Sequence, residues 1–186
     1  MSFDAWKFLE IKVEALTLSN VGFMVLLRLP GSHKGLPIFI GAPEAHSIAQ
    51  ALNGGQFPRP LTHDLMKSVL EELGSEVVRV LLTEAQEGTF FARLVFSRDG
   101  EEVETDARPS DAIALALRFS APIYVDRDLW EETSVPFERQ GEDEDANKHD
   151  ALEQIQNRLS AALEEEQYEE AAKLRDELKT DADRAK

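Results

Sequence analysis

The sequence predicts an α+β fold: a mixed or antiparallel sheet with about three helices, followed by a C-terminal antiparallel helical hairpin. Three observations predict it. Leu9, Ile11, Val13 and Ala15 alternate with Glu10, Lys12 and Glu14, the period of two of a half-buried strand. Strand-like runs then come in groups separated by turn residues, rather than in strict alternation with helices. Finally, two apolar stripes of helical spacing lie beyond an acidic stretch near the C-terminus.

Residues 9–15 open the chain as a strand. Residues 22–29 and 36–40 follow as two more, with Pro30-Gly31-Ser32-His33 as the turn between them. Ala45, Ile48, Ala49 and Leu52 have helical spacing, in a helix opened by Pro43 and closed near Asn53-Gly54-Gly55. Leu65, Met66, Val69, Leu70 and Leu73 make a second helix, with Thr62 as its expected N-cap and Gly74 as its stop. Residues 77–83 and 89–97 form a hairpin around Glu87-Gly88, and Arg98-Asp99-Gly100 turns into a third strand over 101–105. A third helix starts at Pro109, where a missing N–H costs nothing. Residues 122–125 are a short last strand, and 126–132 a helical turn.

These elements fill a domain over residues 1–137. Residues 138–149, with the run Gly141-Glu142-Asp143-Glu144-Asp145, have nothing to bury and read as an acidic linker. In residues 150–186, Leu152, Ile155, Leu159 and Leu163 form one stripe and Tyr168, Ala171, Leu174 and Leu178 another. So short a hairpin buries little core alone, so it is expected to pack on a protein partner or on itself.

Composition narrows the function. The chain has no cysteine, which excludes disulfides, thiolate zinc sites and a cysteine nucleophile. The N-terminus reads as no signal peptide, and no apolar run approaches the length of a membrane span, so a cytoplasmic, membrane-free protein is expected. The net charge is −16; residues 1–137 hold 12 basic and 20 acidic groups, and residues 138–186 hold 8 and 16. Such a surface opposes passive nucleic-acid binding through counterion release. It leaves room for an enzyme that meets phosphate locally.

The chemistry gathers at two helix mouths. The first is Asp106-Ala107-Arg108-Pro109-Ser110-Asp111, the second Arg59-Pro60-Leu61-Thr62-His63-Asp64-Leu65. Asp106 and Asp111 are hard oxygen donors of the kind that hold Mg²⁺ or Mn²⁺ beside phosphate, with Glu44 a further possible ligand. Asp111, Asp64 and Glu44 also sit where a carboxylate favours the helix dipole, so a structural role stays open for each. His63 is placed to act as general acid or base or as a solvated helix-start residue. Arg108 suits bidentate phosphate binding or an ion pair. Arg118, seven residues after Asp111, lies on the same helix face and reaches the same pocket or snorkels from a packed surface. Ser110 and Thr62 are read as phosphate or backbone partners; no nucleophile elbow surrounds Ser110. His46 and His33 read as structural. Phe90, Phe91 and Phe96 suit either base stacking or the core. No Walker loop, dinucleotide fingerprint or zinc pattern is present.

Two resemblances follow from these blocks. Residues 8–132 resemble the bifunctional nuclease family of bacterial and plant domains, through Leu36-Pro37-Ile38-Phe39-Ile40-Gly41 with Glu44-Ala45, and through the two mouths just quoted, the first continuing into Ala112-Ile113-Ala114-Leu115-Ala116. The resemblance implies cleavage of both DNA and RNA. Residues 150–183 are similar to the UVR motif, a helical hairpin of the B and C subunits of the bacterial excision nuclease, through Tyr168-Glu169-Glu170-Ala171-Ala172-Lys173-Leu174-Arg175-Asp176-Glu177-Leu178; Tyr168 stands where the motif usually has Phe. That resemblance implies protein–protein contact.

The resulting expectation is a divalent-metal-assisted nuclease with little sequence preference. Asp106, Asp111, His63 and Asp64 would be catalytic. Arg108, Ser110, Arg118 and Thr62 would bind substrate, and Asp106, Asp111 and Glu44 would hold Mg²⁺ or Mn²⁺. A homodimer or trimer is expected, since strand edges and an aromatic hairpin invite pairing. The competing expectation is a non-catalytic acidic assembly or regulatory module that binds a small anion or a protein partner.

Overall fold

The computed structural model describes Asp4 and residues 6–19, 22–54 and 58–137. The expected linker at 138–149 and hairpin at 150–186 lie outside the described residues. Within them the fold is α+β: β1 (Phe8–Ser19), β2 (Gly22–Arg28), β3 (Lys34–Ile40), α1 (Ala42–Asn53), α2 (Thr62–Glu72), β4 (Ser75–Gln86), β5 (Thr89–Arg98), β6 (Glu101–Ala107), α3 (Pro109–Phe119), β7 (Ile123–Asp126), α4 (Arg127–Thr133) and β8 (Val135–Pro136). The expected helical turn is a true fourth helix, capped by the Asp126 carboxylate, which accepts from the Asp128 N–H at 2.9 Å.

The sheet has eight strands in the order β6-β5-β4-β7-β1-β2-β3-β8. Every pairing is antiparallel except β4 with β7. β1 belongs to two half-sheets. Its first residues, Phe8 to Ile11, pair with β7, and its later ones, from Lys12 to Ser19, pair with β2. A bulge between Val13 and Ala15 lies just past the changeover, and bulges bend a strand. The bulged residue Glu14 is held by Arg28 at 3.1 Å.

Helix α3 is the centre of the packing. Ala112, Ile113, Ala114 and Ala116 are fully buried and Leu115 nearly so. The small alanines let α1 and the sheet approach closely, while Ile113 and Leu115 fill the space between. Around α3 gather Ile48 of α1, Val25 and Leu27 of β2, Val80 and Leu82 of β4, and Val125 of β7 in one apolar core. Burial of so many branched side chains, at about 25 cal/mol per Å² of apolar surface, is what orders the domain. Helix α2 is different. It has no buried residue, and Leu65, Met66, Val69 and Leu73 are about half exposed.

Candidate active site

The sheet and its core bring the first turns of α1, α2 and α3 to one cleft of about 1110 Å³. Each helix start has its own local cause. In α1, Gly41 is the N-cap and Pro43 lies in the first turn. A Cβ on Gly41 would collide with the Glu44 carboxylate, so glycine lets Glu44 fold back over the start of its own helix. In α3, Arg108 is the N-cap and Pro109 the first helical residue, as expected. In α2 the expected cap, Thr62, is instead the first helical residue, and Leu61 is the N-cap. The Asp64 carboxylate explains the shift: it accepts the Leu61 N–H at 3.0 Å and so performs the capping from inside the helix.

The three starts are tied together by side chains. The Arg108 guanidinium donates to both oxygens of Asp111, from Nε at 2.7 Å and Nη2 at 3.1 Å, and from Nη1 to Glu44 Oε1 at 3.0 Å. Bonding to Asp111, and then the nearby charge of Glu44, holds Arg108 charged even more firmly than usual. Its side chain is still 67% exposed. Asp111 Oδ1 also faces His63 Nε2 at 3.3 Å, and His63 Nδ1 faces Ser47 Oγ at 2.8 Å. An ionised carboxylate only accepts, so the proton of neutral His63 sits on Nε2 and Nδ1 accepts from the Ser47 hydroxyl. Protonated His63 keeps both contacts, because the hydroxyl can turn and accept.

A second layer lies beneath. Arg118, 7% exposed at its side chain, donates from Nε to Asp64 Oδ1 at 2.6 Å and from Nη1 to the carbonyls of Ser47 at 3.1 Å and Ala114 at 2.9 Å. One guanidinium thus pins α1, α2 and α3. Burial alone would raise the Asp64 pKa, but the Arg118 bond, the Leu61 N–H and the charges of Arg118 and His63 outweigh it and hold Asp64 below the usual carboxylate range. His46, read as structural from sequence, lines the cleft as well. Burial lowers its pKa, and the neutral ring accepts from Gln50 Nε2 at 2.7 Å.

The structure therefore brings Glu44, His63, Arg108 and Asp111 together in direct contact, and places Thr62 and Asp106 on the walls of the same cleft. Ser110 is buried and lines a neighbouring cavity instead. Arg118 and its partner Asp64 lie behind the cleft residues. Ser47 went unnoticed in the sequence because it lies between Ala45 and Ile48 on an apolar helix face. A serine buried in such a stripe needs a partner, and that need was the available signal.

Asp106 lines the same cleft, and Asp111 and Glu44 share one partner, the Arg108 guanidinium. Both carboxylates aim at one positive centre, which the Arg108 guanidinium fills. Two carboxylates completed by water and phosphate oxygens suit Mg²⁺ or Mn²⁺, so the donors fit such an ion. Among the described residues no three His, Asp or Glu side chains converge into a larger metal-binding group.

Comparison with known proteins gives the family. Residues 25–138 match the family model of the bifunctional nuclease domain. An uncharacterised protein of Mycobacterium tuberculosis is 38% identical over 140 residues, covering 74% of this chain and 84% of that protein. Bifunctional nuclease 1 of Oryza sativa subsp. japonica is 29% identical over 177 residues, covering 83% of this chain but only 53% of the rice protein. Bifunctional nuclease 2 of Arabidopsis thaliana is 32% identical over 109 residues, covering 57% and 33%.

Proposed function

The chain belongs to the bifunctional nuclease domain family, and from that premise we propose that it hydrolyses phosphodiester bonds in DNA and RNA with little sequence preference, at the cleft between α1, α2 and α3. The observation that carries the reading is the exposed Arg108 guanidinium, held at the cleft mouth by Asp111 and Glu44 and one residue removed from His63. A phosphate diester is the ligand that a planar, exposed guanidinium binds best, and the first turns of three helices add N–H groups of the same polarity.

In this reading Arg108 turns from its carboxylates to the phosphate. Asp111 then orients His63 at Nε2, and Nδ1 exchanges its proton by way of the Ser47 hydroxyl, which passes one proton to the ring as it takes one from the attacking water, or the reverse towards the leaving oxygen. Ser47 keeps the imidazole plane fixed in either charge state. Asp106 and Thr62, on the cleft walls, position water and sugar hydroxyls. Met66, Leu94 and Phe96 give the cleft an apolar part of its lining. Asp111 and Glu44 would hold Mg²⁺ or Mn²⁺ once Arg108 has moved, and such an ion supplies Lewis-acid stabilisation of charge on the phosphate oxygens.

The proposal extends to a cytoplasmic protein whose UVR-like segment over 150–186 binds a protein partner. The half-exposed apolar face of α2 supports self-association, and it favours the second reading, a non-catalytic assembly module. Fluorescently labelled single-stranded DNA and RNA, incubated with purified protein across a titration of Mg²⁺ and Mn²⁺, separate the two. Cleavage that Arg108→Ala abolishes supports the nuclease. Cleavage unaffected by that variant assigns it to a contaminant and leaves the assembly module.

A further inference from the structure

Arg108 and Glu44 line two cavities. On one side is the cleft described above; on the other is a second hollow of about 520 Å³, walled by Phe39, Ile40, Phe90, Pro109 and Ser110. Its two aromatic walls come from β3 and β5, which four strands separate in the sheet. They meet because β1 carries the sheet around its bend, so the end of β3 approaches the start of β5.

Phe39 is 57% exposed, between a buried Ile38 and a half-buried Ile40. Among the described residues no strand covers the end of β3 on that side, since β8 pairs with Lys34 and Gly35. A single exposed phenylalanine is ordinary on a protein surface. This one differs because it faces a concavity of ligand size that shares its charged wall with the reacting centre. The main cleft offers the matching feature on its side, with Phe96 in its lining.

We infer that the second hollow is a nucleobase subsite: an unpaired base next to the scissile phosphate stacks on Phe39 and Phe90, while Arg108 holds that phosphate at the boundary of the two cavities. This rests on the nuclease reading for the identity of the strand. The chemistry follows from the layout. Every base has a flat apolar face, so stacking on aromatics gives affinity without sequence preference. Glu44 is the one carboxylate residue in the lining of this hollow and it is paired with Arg108, so an uncharged base meets little repulsion there. A base buried in a pocket must be unstacked from its duplex, so the subsite takes single-stranded segments.

The test is a cycle between protein and ligand. Binding of a fluorescein-labelled eight-residue oligothymidylate is measured by anisotropy in EDTA, for the full-length wild type, Phe39→Ala and Phe39→Trp. It is repeated with a set of strands carrying one abasic residue at each position in turn. Phe39→Ala is expected to weaken binding of the intact strand about tenfold, the loss of one stacked base. Phe39→Trp is expected to restore it. Against at least one abasic strand the Phe39→Ala loss should vanish, since the base it served is already missing. Equal binding by wild type and Phe39→Ala, or a loss of the same size on every abasic strand, overturns the subsite. Turnover of the same oligonucleotide with Mg²⁺ or Mn²⁺ is followed in parallel. Binding that depends on Phe39 without any turnover overturns the nuclease reading and leaves the base subsite. Turnover with binding indifferent to Phe39 does the reverse, and a wild type that does neither removes both.

Discussion

Arg108 has two carboxylates as partners and still exposes most of its side chain, so its position is held by charge rather than by packing. Lysine keeps the charge but loses the planar fork that reaches both oxygens of Asp111. Arg108→Lys is therefore expected to retain some turnover but to raise KM about tenfold or more, measured on labelled oligonucleotides; an unchanged KM would remove Arg108 from phosphate binding. His63→Gln keeps a polar side chain but cannot exchange a proton. It is expected to lower kcat about 10²- to 10⁴-fold with little change in KM, the span usual for a lost general acid or base. Arg108 stood out in the sequence because a charged residue beside a helix-opening proline has few packing roles, and His63 because it is a titratable residue at a helix start beside Asp64. Ser47 did not, because its significance is a contact with a residue sixteen positions away.

Among the elements, α2 is anchored chiefly through polar contacts, with Leu70 packed in part against the core. It buries no side chain fully, and its fixed points are Asp64 on Arg118, Lys67 on the Arg118 carbonyl at 2.9 Å and His63 on Ser47. Arg118→Leu strands Asp64 and two carbonyls, and is expected to cost about 2–4 kcal/mol in urea unfolding. The Asp64 contribution has a pH signature. Its carboxyl is held below the ordinary range in the folded protein, so its stabilisation is present above the unfolded value of about 4 and is lost as pH falls through the lower folded value. The difference in urea midpoint between wild type and Asp64→Asn should therefore be constant near neutrality and shrink below about pH 4; a difference independent of pH would show that Asp64 acts only as a helix cap. The existence of α2 was legible from its apolar spacing and from Gly74, which adopts a left-handed φ of 68° just past its end. Its cap was not, because Thr62 and Asp64 both have capping chemistry and only the tertiary pull of Arg118 decides between them. The stop of α3 was hidden for a related reason: Ser120, not a glycine, takes the left-handed position, and the chain then runs into β7.

At the scale of the whole molecule, the apolar core of the described residues runs from Ile11 to Trp130. Residues 1–137 are accordingly expected to unfold as one cooperative unit, followed by circular dichroism. They are also expected to associate through Leu65, Val69 and Leu73, which recur every four residues on an exposed face. Light scattering should report a dimer or trimer for this domain and a monomer for Leu65→Glu/Val69→Glu; a monomeric parent domain would put association elsewhere. The grouping of strands was readable from turns and alternation. The sharing of β1 between two half-sheets was not, because alternation says which face a residue takes and nothing about which strand lies beside it.

The contacts among Glu44, His63, Arg108 and Asp111 have a consequence in time. Arg108 meets Glu44 across 64 residues of sequence, and His63 meets Asp111 across 48. During synthesis the chain carries α1 and α2 long before α3 exists, so a ribosome-bound fragment lacks Arg108, Asp111 and the α3 side of the cleft. Loops of that length close late in folding, after local hairpins have formed. Under the proposed function, unfinished copies are thereby expected to carry no nuclease activity. In refolding from urea, turnover should return no sooner than the fluorescence change that reports burial of Trp130, and stopped-flow fluorescence beside a timed cleavage assay measures both.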